Sequence, residues 1–203
     1  MLKNNRSKVS LALFFCCFML PSCYKDLTHF YEDPQTPGLS IFSDKANNIM
    51  TCYIDGQLWR TYDRRTAGFY TPPFYEVFVT KIAGAATEDT LMINWLGRGN
   101  NNFYELILKL SMPKNFTSKD FNSLQGKRLH IDSTNGYFTN SEYYQTANLV
   151  GTGNIYFHLA ELDSIGLNSY QGRMSGLFEA DFGAIKIRNG RFDHEIDSSQ
   201  VNF

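Results

Sequence analysis

His130 and Asp132 stand two residues apart, the spacing that puts both side chains on one face of a strand. That arrangement could supply a base and a carboxylate to orient it, the elementary unit of general acid–base chemistry. Such pairs also arise by chance. His194 lies between Phe192 and Ile196, on what reads as an apolar strand face, so a buried neutral imidazole is expected there. Its sequence neighbours Asp193 and Glu195 point to the opposite face and make no dyad with it. His158 reads as a surface residue beside Tyr156.

Other catalytic arrangements find little support. There is no His-Glu-x-x-His, no cysteine pair and no calcium loop, so no metal or cofactor is expected. Ser175 lies in Gly172-Arg173-Met174-Ser175-Gly176, which does not fit a nucleophile elbow. Gly97-Arg98-Gly99 and Gly151-Thr152-Gly153 read as turns, since the third glycine and following helix of a nucleotide loop are missing. Carboxylates for sugar cleavage could come from Glu76, Glu105, Glu161 or Glu179, but such chemistry depends on a separation that spacing does not set.

The aromatics are more suggestive. Phe69-Tyr70-Thr71-Pro72-Pro73-Phe74-Tyr75, Tyr137-Phe138 and Tyr143-Tyr144 fall in or near expected loops. Tyr70, Phe74, Tyr75, Tyr137 and Tyr143 are therefore candidate ligand-contacting residues, because exposed aromatic patches usually mark interaction. The competing reading is that they cover the open end of a small β core.

Cys23 carries the clearest chemical signal. Lys3, Arg6 and Lys8 precede an apolar run from Val9 to Leu20, and Leu20-Pro21-Ser22 leads into the cysteine. A positive start, a short apolar core and a small residue at the cut define a secretory signal. The run is too short to span a bilayer and ends at a proline. Leu20-Pro21-Ser22-Cys23 resembles a lipobox, which implies cleavage before Cys23 and a diacylglycerol thioether on its sulfur. One acyl chain binds membranes only marginally, whereas two or more anchor stably.

The cysteines and charges then fall into place. Cys16 and Cys17 leave with the signal, Cys23 is acylated and Cys52 stands alone, so no internal disulfide is expected even in an oxidising compartment. Three of the 19 basic residues leave with residues 1–22 and none of the 20 acidic ones, which brings the net charge to −4. That balance argues against nucleic acid. The expected organisation is a signal peptide over 1–22, a lipid-anchored tether over 23–48 and one β-rich domain over 49–203. The tether is read from Pro34, Pro37, Gly38 and the lack of any hydrophobic period.

From Ile49 onward the pattern is strands and turns. Asp55-Gly56 and Asn189-Gly190 read as hairpin turns, because type I′ turns need positive φ at both central residues. The first predicts Ile54 opposite Gln57 and Cys52 opposite Trp59; the second predicts Ile187 opposite Phe192 and a Lys186–Asp193 ion pair. Strands are expected at 74–82, 90–96, 103–111, 154–162 and 173–182. The 154–162 segment should present Ile155, Phe157 and Leu159 to one side, and the 173–182 segment Met174, Gly176, Phe178, Ala180 and Phe182. Residues 117–124 read as a short helix with Ser118 as N-cap and Gly126 as its stop, while 137–150 is ambiguous between helix and loop. The fold class is all-β, a single antiparallel β-sandwich or lipocalin-like barrel with one short helix at most.

Cys52-Tyr53-Ile54-Asp55-Gly56-Gln57-Leu58-Trp59, Gly176-Leu177-Phe178-Glu179 and Ile187-Arg188-Asn189-Gly190-Arg191-Phe192-Asp193 bracket the domain. Together with the lipobox they resemble a group of small Bacteroidota lipoproteins with an Asp/Asn-Gly-x-x-Trp hairpin at the start and Gly-Arg-Phe-Asp near the end. Lys25-Asp26 is similar to the surface-export signals of such proteins, and equally to an ordinary polar linker. The resemblance implies a β-rich periplasmic or surface domain and supplies no catalytic residues.

The expectation is a non-catalytic module of the cell envelope, held to the outer membrane through its N-terminal lipid and binding a glycan, a small ligand or an envelope protein. An enzyme acting on glycans or esters would need ionisable groups converging in one pocket. A lipocalin-like carrier would need an apolar cavity inside a closed barrel.

Overall fold

The computed structural model describes residues 30–61, 77–99, 103–142 and 148–203. Four strands open the domain: β1 (Ile49–Ile54), β2 (Gln57–Thr61), β3 (Val77–Ile82) and β4 (Glu88–Arg98). After β5 (Phe103–Pro113) comes the short helix α1 (Ser118–Asn122), then β6 (Arg128–Ile131) and β7 (Gly136–Glu142). The long strands β8 (Asn148–Gly166), β9 (Ser169–Phe182) and β10 (Ile185–Asp197) follow, and β11 (Val201–Asn202) ends the chain.

The hydrogen-bonded ladder closes on itself. β4 pairs with β5 on one side and with β2 and β3 on the other; from β2 the order β1, β10, β9, β8, β7, β5 returns to β4. The fold is therefore an antiparallel meander rolled into a barrel rather than a two-sheet sandwich. β6 adds to β8, and β11 pairs in parallel with β3. Closure leaves few edges. The one described cysteine, Cys52, is free and buried.

Alternation explains the wall. Leu91, Ile93 and Trp95 on β4 and Leu106, Leu108 and Leu110 on β5 point inward and are buried. Met174, Phe178, Ala180 and Phe182 do the same on β9, as the sequence predicts. Each such side chain contributes about 1.5–3 kcal/mol when fully buried. The first hairpin also follows expectation: Ile54 faces Gln57 and Cys52 faces Trp59, across Asp55 (φ 49) and Gly56 (φ 77).

The second hairpin does not. β9 and β10 are joined at residues 183–184, and Asn189-Gly190 lies inside β10 as a bulge. Ile187 faces Ala180 and Lys186 faces Asp181, so the expected Ile187–Phe192 pairing and Lys186–Asp193 ion pair do not form. The Asn-Gly signal reports positive φ, and a bulge uses that conformation as readily as a turn. Asn189 supplies it (φ 54), while Gly190 makes room for Phe178: a Cβ there would overlap the ring. Inward alternation nonetheless survives at Ile187, Phe192, His194 and Ile196.

Smaller differences have similar causes. β8 bulges between Phe157 and Leu159, so Leu159 is only half-buried while Ala160 and Leu162 turn inward. Gly136–Glu142 is a strand, with Phe138 and Asn140 buried; the polar Asn140 hides its period. The helix N-cap is Thr117, not Ser118: its backbone N–H donates to Asp120 at 2.7 Å. Residues 74–76 lie outside the described residues, and the strand expected at 74–82 is described from Val77.

The largest correction concerns residues 30–48, read as tether. They form a strap on the outside of the barrel, with Leu39, Ser40 and Asn47 buried. Glu32 and Ser40 pair as an antiparallel bridge, and the Ile41 N–H donates to the Tyr31 carbonyl at 2.7 Å. Pro34, Pro37 and Gly38 (φ 86) turn this ribbon rather than dissolve it. Tyr53 Oη donates to the Pro37 carbonyl at 2.6 Å, and the Ser40 N–H donates to Thr51 Oγ1 at 3.0 Å.

Candidate functional site

Among the described residues, large side chains pack the centre of the barrel. Trp59, Trp95, Phe138, Phe157, Phe178 and Phe192 are buried at its centre. Trp95 lies 6.3 Å from Phe178 and 5.6 Å from Phe192, centroid to centroid, and Phe157 meets Phe192 edge-on at 5.8 Å. Contacts of this kind build a packed core, not the cavity a carrier needs. His194 is part of the lining and 1 % exposed. Burial lowers its pKa to about 3, which keeps the imidazole neutral. Its Nε2 has no hydrogen-bond partner among the described residues.

Asp193, next in sequence, faces outward and holds the strap. Its carboxylate accepts the backbone N–H groups of Ala46 (2.9 Å) and Asn47 (3.2 Å) and the hydroxyl of Ser43. Arg191 does the same two residues earlier. It donates to Asp33 at 2.6 Å, to the Ser40 carbonyl at 2.7 Å and to Thr36 at 3.0 Å. The Asp33 carboxyl sits at about 2, held down first by the Gln35 N–H and then by Arg191 and Thr36. These two residues of the Gly190-Arg191-Phe192-Asp193 stretch thus have a folding role.

Beside Arg191 the outer wall opens into a cleft of about 350 Å³ across β6, β8, β9 and β10. Arg128 from β6 and Asn154 and Tyr156 from β8 line one side; Glu179 from β9 and Asn189 from β10 line the other. The β10 bulge exposes Asn189 here. The Arg128 guanidinium lies 5.9 Å from the centre of the Tyr156 ring, a cation–π pair. His130 Nδ1 is 3.0 Å from Asn154 Oδ1 at the rim. The row continues along the wall: His158 packs on Tyr156 (6.2 Å) and on Phe42 of the strap (5.3 Å), with Asp44 at 3.7 Å.

This set offers a cation, a carboxylate, two amides and an aromatic face in one place. It does not pair two carboxylates. Glu105 accepts from Asn94 at 2.7 Å, and Glu161 pairs with Arg173 at 2.9 Å, each on its own stretch of wall. His130 and Asp132 are 3.8 Å apart, His130 exposed and Asp132 half-buried; Asp132 is occupied by Thr134, whose hydroxyl donates at 2.7 Å. Among the described residues, no group of three or more His, Cys, Asp and Glu could hold a metal ion.

Of the aromatic candidates, Tyr137 stands half-buried on β7 with the Lys109 ammonium 5.1 Å from its ring, and it does not line the cleft. Tyr70, Phe74, Tyr75 and Tyr143 lie outside the described residues, as does Cys23. The cleft residues Arg128, Asn154, Tyr156 and Asn189 are not among the sequence candidates. Alternation along β8 does place Tyr156 outward, but the β6–β8 register that brings Arg128 opposite it is not written locally. Comparison with protein-family models, curated proteins and solved structures finds no match.

Proposed function

We propose that this chain is a lipid-anchored module of the cell envelope that binds a polyhydroxylated ligand, a glycan or small polar molecule, without transforming it. The observation that carries this reading is the outer-wall cleft, where Arg128, Asn154, Glu179 and Asn189 surround Tyr156. Hydroxyl groups both donate and accept, and this lining provides both capacities. Aliphatic C–H faces of a sugar pack on an aromatic ring, which Tyr156 supplies. Specific polar groups around an apolar surface are the ordinary composition of a ligand site.

Among the described residues, the packed centre speaks against a carrier, and the separate partners of Glu105 and Glu161 speak against a hydrolase built on that pair. Localisation rests on the lipobox: Cys23 would carry the lipid, and a Cys23→Ser variant should leave the membrane fraction. The ligand is tested by a glycan-array screen of the full chain in detergent. Binding that falls about tenfold, ~1.4 kcal/mol, in Tyr156→Ala or Arg128→Ala would support the cleft. A blank array, or binding indifferent to both variants, would sink it.

A further inference from the structure

We infer that the open end of the strap seats the barrel on the lipid bilayer. This rests on the reading of Cys23 as the lipid anchor. Phe30 and Tyr31 on one arm of the ribbon and Ile41 and Phe42 on the other are exposed, Tyr31 to 55 % and the others to about 40 %. The Ile41–Tyr31 hydrogen bond puts the two arms side by side, with Phe30 against Arg60 of β2 and Phe42 against His158 of β8, so exposed apolar side chains flank the ribbon where it opens. Elsewhere the strap hides its apolar groups, as at Leu39 (0 %).

Chain length names the occupant. Phe30 follows Cys23 by seven positions, and even fully extended that stretch reaches only about 25 Å. A lipid on Cys23 therefore keeps the ribbon's open end within about 25 Å of the bilayer, close enough to reach its surface. A tethered apolar patch at that distance gains by entering the interface, where aromatic side chains are favoured. It also supplies a second membrane contact beside the acyl chains. Because Phe42 packs on His158, and His158 on Tyr156, the cleft opens along the same flank, next to the membrane.

Spin labels test this. The acylated full chain, carrying Ile41→Cys or Phe42→Cys, is reconstituted in phosphatidylethanolamine–phosphatidylglycerol vesicles, with Leu167→Cys at the far turn (97 % exposed) as reference. Cys52 is buried and escapes labelling. Labels at 41 and 42 should be severalfold less accessible to an aqueous relaxant than the label at 167, and more accessible to oxygen. Equal aqueous accessibility at all three sites, in protein shown by mass to carry diacylglycerol, would overturn the seating alone. Protein without diacylglycerol at Cys23 would overturn the anchor and the seating together.

Discussion

Arg191 Nη1 meets Asp33 Oδ2 at 2.6 Å across 158 residues of sequence, tying the ribbon of the strap to β10. Both side chains are mostly covered, at 16 % and 18 % exposure. The contact makes the segment after the expected anchor part of the folded unit. It also places a pH-sensitive joint between the two.

Strong acid should loosen the strap. The Asp33 carboxyl titrates at about 2 in the folded chain against an ordinary 3.8, so its contribution is full above the ordinary value. It is lost as pH falls from about 4 through 2. Amide exchange in residues 33–47 should accelerate in that window by more than it does in β8 and β9. Asp33→Asn should show the faster exchange already at pH 7; equal protection in that variant would refute the joint.

His194 should govern a separate, milder window. Burial lowers its pKa from 6.5 to about 3, so the unfolded chain binds the extra proton between those values. Stability is thus full above pH 6.5 and falls as pH drops, with a slope approaching one proton, about 1.4 kcal/mol per pH unit. Urea midpoints between pH 7 and 4.5 should record this. His194→Phe should flatten the dependence, whatever its effect on stability at pH 7.

Much of this was legible along the chain, and the failures share a cause. Wherever one residue faces in and the next out, as at Leu91–Trp95 or Met174–Phe182, the buried set is correct. Errors arise where a single inserted residue shifts the frame, at Asn189 and at His158. The strap was missed because Leu39 is its one deeply buried apolar side chain, and its other ties are polar, to Asp193, Arg191 and Thr51. The cleft was missed for the same reason: Arg128 and Tyr156 meet through sheet register, and no local period announces it.

Gly97 should tolerate no side chain. A Cβ there would overlap the Trp59 ring inside the barrel, with no flexible neighbour to give way. Gly97→Ala should cost about 1–3 kcal/mol, the usual range for overpacking a core. Thermal denaturation checks this, with Gly126→Ala as a contrast: nothing crowds that Cβ, and only its positive φ opposes the change.

Cys52 should be chemically silent in the native protein. Its thiol is buried, and burial alone pushes its pKa far above the usual range. An aromatic disulfide reagent should leave it untouched at pH 8 and react fully in denaturant. Prompt reaction under native conditions would mean that the β1–β2 hairpin opens readily.

Thr61 faces Gly97 and Val77 faces Trp95, so the chain leaves β4's ladder and rejoins it only two rungs further on. Fifteen residues intervene without changing which partners the wall chooses. β2 and β3 thus act as one interrupted stave against β4, and the rungs on either side of the interruption keep their count. Closing a longer excursion there costs little, since the penalty grows only with the logarithm of its length.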